Sequence, residues 1–538
     1  MTMEITFENK RQFFEQMADM FISTRQMDKA IPTVELLMTN FPIDSKILLL
    51  KVRIFDIYGD YRNVIVDGET ALAMGKTLSP KDKMMLHNIV AMAYDNIGST
   101  ARASEHYLLS SRTDIKSVDD QKLRAELLDD RREDYSNYLF ALHRLPPSKI
   151  SSTKIFSAVK DYDKLYSGVK RFKHQARSHD KIRVGYISPD LRGHVAGYFA
   201  APFFTHHDRE RFEVFGYAAC KEDAFSEMLK QNAEGWRNIK GDAPSDAARK
   251  IYDDQIDILI DLSGHTAHNC LPVMAHKPAR IQISGVGWIG STGLKAIDYF
   301  FVDKYTVPDK RGEKFFTERV IRLPHTHFCY RRPDVEIELQ PAPCRADGFT
   351  TFGSFNNFSK VTDEMLMIWS KIMAAVPNAR LLIKSTVFNS DYVKGIALNR
   401  MKAAGLELDR ITLDGGDNYE GYLKKFRAVD VLLDSYPYVG GGTTCDALYM
   451  GVPVISLIGD RHGTRFGLSF LSNAGAEELC ASTVEEYIEK AIALANDFDR
   501  LERYHQTLRA SMESSPLMDA AAYISDIETE YLRLIDGK

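Results

Sequence analysis

The sequence predicts an α/β protein in which two doubly wound lobes, each a parallel sheet with covering helices, follow an all-helical repeat domain. Three observations carry that prediction. Apolar residues recur with a helical period from residue 8 to about 140, with no convincing strand among them. From Lys181 onward, short apolar runs alternate with amphipathic segments in two successive series. The unusual polar loops of the chain follow those apolar runs, at the carboxyl ends of strands, where open parallel sheets place their ligands. The expected division is 1–145 for the repeats, 146–335 for the first lobe and 336–538 for the second.

In the helical third a repeat lies under the periodicity. Ala18, Phe21 and Ala30 recur as Ala91, Tyr94 and Ala103, with Tyr107 four residues on, and a weaker copy between them has Val52, Phe55, Val64 and Ala71. Small residues let two helices approach and an aromatic fills the gap to the next hairpin, as in tetratricopeptide repeats. Such an array offers a groove to a peptide or protein, so partner binding is its expected role. A generic helical bundle is the alternative.

The first α/β series reads as strands at Ile182–Ile187, Phe212–Tyr217, Ile256–Leu262 and Arg280–Gly285. The second has Phe349–Phe355, Ala379–Lys384, Arg410–Leu413, Asp430–Asp434 and Pro453–Ile458. Between them, residues 331–348 carry Pro333, Pro341 and Pro343 and read as a linker. The polar loops are Ser188–His194, Ser263–His268, Asn356–Lys360 and Gly459–Arg465. Two doubly wound halves with such loops facing a shared cleft describe the GT-B arrangement, with a nucleotide-sugar donor mostly on the second half.

The most specific motif is Asp434-Ser-Tyr-Pro-Tyr-Val-Gly-Gly-Gly-Thr-Thr-Cys-Asp446. It closes an apolar strand and opens a helix with glycines and two threonines, an anion-binding design. Gly441 and Gly442 let the backbone approach a diphosphate, the first N–H groups of the helix and the Thr443 and Thr444 hydroxyls donate to it, and the helix dipole favours its charge. Asp446 cannot favour phosphate by charge and is expected to accept from ribose hydroxyls. The alternative is an ordinary capped turn.

Composition bounds the rest. The 538 residues exceed a single core, 44% hydrophobic and 27% charged content suit a soluble globular chain, and a net charge of −5 argues against a general nucleic-acid binder. One basic stretch, Lys164, Lys170, Arg171, Lys173, Arg177 and Lys181, reads as a solvated connector. The six cysteines lie far apart without metal-ligand spacing, residues Met1 to Arg11 are polar, and no long apolar run spans a membrane, so a cytoplasmic location is expected. Asp161-Tyr-Asp163 and Asp497-Phe-Asp499 lie in helical patterning and read as solvated positions, not metal ligands.

From about Asp134 onward the chain resembles the protein O-linked N-acetylglucosaminyltransferases, with their plant fucosyl-transferring relatives and bacterial flagellin-modifying members. The matching strings are Arg183-Val-Gly-Tyr-Ile-Ser-Pro-Asp-Leu-Arg-Gly-His194, Asp261-Leu-Ser-Gly-His-Thr266, Phe355-Asn-Asn-Phe-Ser-Lys360 and Tyr438-Val-Gly-Gly-Gly-Thr-Thr-Cys-Asp446, in the family's order. The long insert of the animal enzymes is missing. The resemblance implies an inverting, metal-independent transfer of N-acetylglucosamine from UDP-GlcNAc to Ser or Thr of a protein acceptor, flagellin among the implied ones, held by the repeats and the cleft. No cofactor is implied.

The resemblance puts Lys360 at the diphosphate-contacting lysine, Asn357 at an amide position where animal members carry glutamine, Thr443 and Thr444 in the phosphate cradle, Asp446 at the ribose carboxylate and His194 at the first half's active-site histidine. It departs at Gly441 or its neighbour and at Tyr422, where animal members carry histidines, which leaves base and sugar open. Negative charge building on the departing diphosphate would be held by Lys360, the helix start, and Arg461 or His462. The acceptor hydroxyl needs a proton acceptor, for which His194 and His265 are the candidates, with Asp190 orienting His194 or capping the following helix. A different hexosyl donor and a non-catalytic repeat scaffold are the rival readings.

Overall fold

Helical hairpins build the N-terminal part of the protein, whose computed structural model describes residues 7–74, 78–174 and 177–537. Residues 1–6 of the polar segment Met1 to Arg11 lie outside the described residues. The chain divides into two compact units, Met1–Leu142 and His143–Lys538.

The first unit pairs α1 (Phe7–Ser23) with α2 (Met27–Asn40), α3 (Ser45–Ile57) with α4 (Tyr61–Met74), and α5 (Pro80–Asn96) with α6 (Thr100–Ser111), before the long α7 (Gln121–Arg144). The recurring positions are those the hairpins bury. Ala18 and Ala30 share one core cluster, Val52, Val64 and Ala71 a second, and Ala91, Ala103 and Tyr107 a third. The aromatics Phe21, Phe55 and Tyr94 pack partly buried against these clusters. Caps set the hairpin ends: Asp44 accepts the amides of Lys46 and Ile47 at the start of α3, and Ser79 that of Asp82 at the start of α5.

The second unit holds two parallel sheets. The first contains β1 (Ile182–Ser188), β2 (Phe212–Ala218), β3 (Gly235–Asn238), β4 (Ile258–Asp261), β5 (Ile281–Ser284), β6 (Tyr299–Asp303) and β7 (Arg319–Leu323) in the order β3-β2-β1-β4-β5-β6-β7. The second contains β8 (Thr351–Ser354), β9 (Arg380–Lys384), β10 (Ile411–Asp414), β11 (Val431–Leu433), β12 (Val454–Leu457) and β13 (Cys480–Ala481) in the order β10-β9-β8-β11-β12-β13. Strand order reverses between β1 and β4 in one sheet and between β8 and β11 in the other. Those are the switch points at which open α/β sheets bind ligands.

Strands such as Ile258–Asp261 and Val454–Leu457 are buried along their whole length, which is why they read as unbroken apolar runs. The last helix, Ala520–Ile535, belongs by sequence position to the second lobe and packs on the first. Tyr531 lies against Tyr186, His207 and Phe212, and Glu528 accepts from His207 at 2.8 Å. A buried carboxylate also ties the lobes: Asp303 accepts from Ser469 of the second lobe at 2.6 Å and from the His327 ring of the first. The fold is therefore α/β, two Rossmann-like lobes of the GT-B kind that follow helical repeats in the chain.

Candidate active site

The loops after the four switch-point strands meet at one cleft of about 1410 Å³, lined from both lobes. From the first lobe come Asp190 and His194, and from the second Asn357, Lys360, Tyr422, Gly441, Gly442, Thr443 and Asp446.

The glycine turn is held by a carboxylate at the end of β11. Asp434, buried, accepts the amides of Gly440 at 2.8 Å and Ser435 at 2.9 Å, the Asn356 side-chain amide at 3.0 Å and the Ser456 hydroxyl at 2.8 Å. Gly440 has to be glycine for space, because a Cβ there would lie 2.3 Å from the Thr444 hydroxyl oxygen. The helix Gly442–Tyr449 starts immediately after. Its Thr444 and Cys445 amides return to the Gly441 carbonyl, whereas those of Gly442 and Thr443 have no protein acceptor among the described residues. Unpaired amides at a helix start are the groups that cradle an anion.

Lys360 reaches the same turn and lines the same cleft. Its ammonium lies 3.9 Å from the centre of the Tyr438 ring and 3.5 Å from the Val439 carbonyl, in contact with the strand-to-helix turn itself. Burial brings its pKa down to about 8, against the pull of the nearby Asp434 charge. Asn357, which lines the cleft, caps the short turn Phe358–Lys360 by accepting the Ser359 amide at 3.0 Å.

Asp446 sits one helical turn in, among tyrosines. It accepts from Tyr330 at 2.7 Å and Tyr419 at 3.1 Å, with Tyr422 beside it, and burial raises its pKa to about 6. Tyr422, standing where the resemblance places a histidine, lies buried near both Thr443 and Asp446.

Across the cleft, His194 caps the helix Val195–Thr205. Its Nδ1 accepts the Ala196 amide at 3.2 Å and lies 3.5 Å from the Asp190 carboxylate. With Nδ1 accepting, the neutral ring carries its proton on Nε2. The two helix starts almost touch: a Cβ on Gly442 would come within 2.7 Å of Val195. His194 therefore stands opposite the anion cradle.

Four expected residues are not brought to this cleft. His265 is fully buried, with Nε2 bonded to the Thr292 carbonyl at 2.7 Å and its ring edge-on to Tyr162 and Trp288. The turn causes this. Asp261 binds the amides of Ser263 and Gly264, and Gly264, at φ +53°, lies so close to Trp288 that a Cβ would be 2.3 Å away, which folds the loop inward. Burial holds the His265 pKa near 4.

Arg461 and His462 line a different cavity. The Gly463 amide bonds the Ile289 carbonyl of the first lobe, and that contact directs Arg461 onto the carbonyls of His143 and Leu145 and His462 among Phe300, Phe316 and Phe466. Thr444 is buried beneath the turn and contributes its hydroxyl there, not to the cleft. Asp161 and Asp163 pair with Lys164 and Lys295, and Asp499 with Arg345, away from the cleft. Sequence reading did not single out Asp434 as a brace, nor Tyr438, Tyr330 and Tyr419.

Glycosyl transferase family 41 matches residues 160–334 and 345–527, both lobes and nearly their whole extent. The chain belongs to that family. Among relatives, it is 33% identical over 413 residues to the probable UDP-N-acetylglucosamine–peptide N-acetylglucosaminyltransferase SPINDLY of Petunia hybrida, covering 75% of this chain and 44% of that protein. The SPINDLY protein of Arabidopsis thaliana is 34% identical over 70% of this chain and 42% of its own length. The chain thus spans less than half the length of these plant relatives. A solved structure of a mutant form of the Thermobaculum terrenum O-GlcNAc transferase superposes with a TM-score of 0.83 at 26% identity, covering 99% of this chain and 98% of that one. The family 41 match and the cleft coincide: every cleft residue named above lies inside the matched segments.

Proposed function

We propose that the cleft transfers N-acetylglucosamine from UDP-GlcNAc to Ser or Thr hydroxyls of a protein acceptor, with inversion and without a metal. The observation that carries this reading is the Lys360 ammonium reaching the same turn and lining the same cleft as the unpaired Gly442 and Thr443 amides. A cation and two preorganised donors converge where a departing diphosphate gathers charge, each worth about 2–4 kcal/mol in a dry cleft. Asp446 then takes the ribose through the capacity its tyrosines leave.

His194 is the proton acceptor in this reading, and Asp190 its positioning partner. For that, the ring exchanges the Ala196 amide for the Asp190 carboxylate, 3.5 Å away, so that Nδ1 carries the proton and Nε2 turns its lone pair to the acceptor hydroxyl. His194→Ala and Asp190→Asn should lower transfer and leave UDP affinity within a few-fold of the parent.

Steady-state turnover of a sugar-nucleotide panel by the parent and Lys360→Met tests the whole. UDP-GlcNAc should be the preferred donor, Lys360→Met should lose about a hundredfold or more in kcat, on the order expected for one preorganised donor, and a chelator should change nothing. The contrary results would be preference for a guanosine-linked fucose, which Tyr422 and Gly441 in place of histidines make the second donor to try, or no turnover and no UDP binding, as a scaffold would give. Flagellin is the protein acceptor to assay first, on the family resemblance to bacterial members.

A further inference from the structure

The cleft is larger than a nucleotide sugar needs. Its 1410 Å³ exceeds the roughly 300–1,000 Å³ of small-molecule sites, and the anion cradle occupies only its second-lobe wall. The opposite wall is a shelf on the first lobe, at the carboxyl ends of β2 and β3. These strands pair in parallel with Ala218 opposite Asn238, so Lys221 and Lys240 follow adjacent strand ends, and both line the cleft.

The charges on this shelf are unequal in how they are used. Lys221 and Lys240 are exposed, and neither ammonium has an ion-pair or hydrogen-bond partner among the described residues. The carboxylates beside them are committed. Asp242 is paired with Lys250 at 2.7 Å, and Glu222 accepts from the Trp236 indole at 2.8 Å and the Asn238 amide at 3.0 Å. Asp223 caps a helix at Phe225 and Ser226 and accepts the Gly193 amide at 2.8 Å, while Asp190 lies between Arg192 and His194. Two ammonium groups without an ion-pair partner among the described residues therefore line the same cleft as His194, while Glu222 and Asp223, which do not line it, have their oxygens engaged by other donors.

We propose that this shelf is the acceptor subsite and that it selects peptides carrying Asp or Glu beside the modified Ser or Thr, paired with Lys221 and Lys240. The proposal rests on the transferase reading above. Exposed pairs of this kind position a partner without binding it tightly, so the preference should be about three- to tenfold in kcat/KM, carried by KM. It should shrink as salt is raised.

The test uses the full chain with UDP-GlcNAc and Ser- or Thr-centred peptides whose flanking residues are Glu, Gln or Lys, product being counted by mass spectrometry, alongside donor hydrolysis without peptide. Glu-flanked peptides should outperform their Gln isosteres, and the double variant Lys221→Glu with Lys240→Glu should invert the preference toward Lys flanks. If that variant fails to fold, Lys221→Gln and Lys240→Gln singly should each narrow the gap between Glu and Gln peptides. Equal kcat/KM for Glu and Gln peptides, with the donor still hydrolysed, overturns the acidic subsite and leaves the transferase reading standing. Neither hydrolysis nor UDP binding by the parent chain overturns the transferase reading and this proposal with it.

Discussion

Lys360 has the environment of a cation that is needed only when an anion arrives. Burial lowers its pKa to about 8, so the ammonium form is nearly complete below that pH and is lost as pH rises through it. Because kcat/KM reports groups of the free enzyme, its profile should fall on the alkaline side with an apparent pKa near 8, and the limb should vanish in Lys360→Met, whose residual activity stays flat there. An unchanged limb in that variant would assign it to another group. The places of Lys360, Thr443, Asp446 and His194 on the cleft were legible because each lies in a polar loop or a glycine-led helix start after an apolar strand, while the roles of Lys360 and His194 came from the family resemblance. Tyr330 was not: it reaches Asp446 from 116 residues away, and no local pattern announces such a pair. His265 shared the signature of His194 on paper. What separates them is the inward fold of the Asp261 turn against Trp288, a packing event invisible in the spacing of residues.

Among elements, the turn from β11 into the helix Gly442–Tyr449 does the most, and its shape depends on Asp434. Asp434→Ala leaves the Gly440 and Ser435 amides and the Asn356 side chain without their acceptor, and should cost about 3 kcal/mol. The check is a lowered denaturant midpoint at unchanged slope. Gly440→Ala is a subtler probe. Its Cβ would meet the Thr444 hydroxyl at 2.3 Å and must displace the turn, so UDP affinity should drop about tenfold or more, while overpacking costs stability about 1–3 kcal/mol. Titration calorimetry beside a thermal melt separates the two effects, and unaltered UDP affinity would mean the turn is not the cradle. Strands buried on both faces were readable as apolar runs, whereas β3, β6, β7 and β13 were missed. β3 is an exposed edge in which Gly235 lies under the Phe215 ring and Gly216 of β2 under Trp236, and β13 has only two residues. β6 and β7 complete the far side of the first sheet beyond β5, past the point where the expected series stopped.

For the molecule as a whole, the two-lobed plan followed from the alternation of short apolar runs with amphipathic helices, and the repeats from small residues recurring at fixed places. The return of the helix Ala520–Ile535 to the first lobe was not readable, since its Tyr531 and Glu528 find Tyr186 and His207 345 and 321 positions earlier. That return and the Asp303 contact with Ser469 tie the lobes together, and the cleft lined by both lobes lies between them. The central claim is that this cleft holds a departing diphosphate by amides and one cation. The most direct measurement is a crystal structure of the full chain with UDP. The account predicts the diphosphate within hydrogen-bond distance of Lys360 Nζ and of the Gly442 and Thr443 amides, with the ribose at Asp446. A nucleotide lodged elsewhere, or a divalent cation bridging its phosphates in place of Lys360, would contradict it.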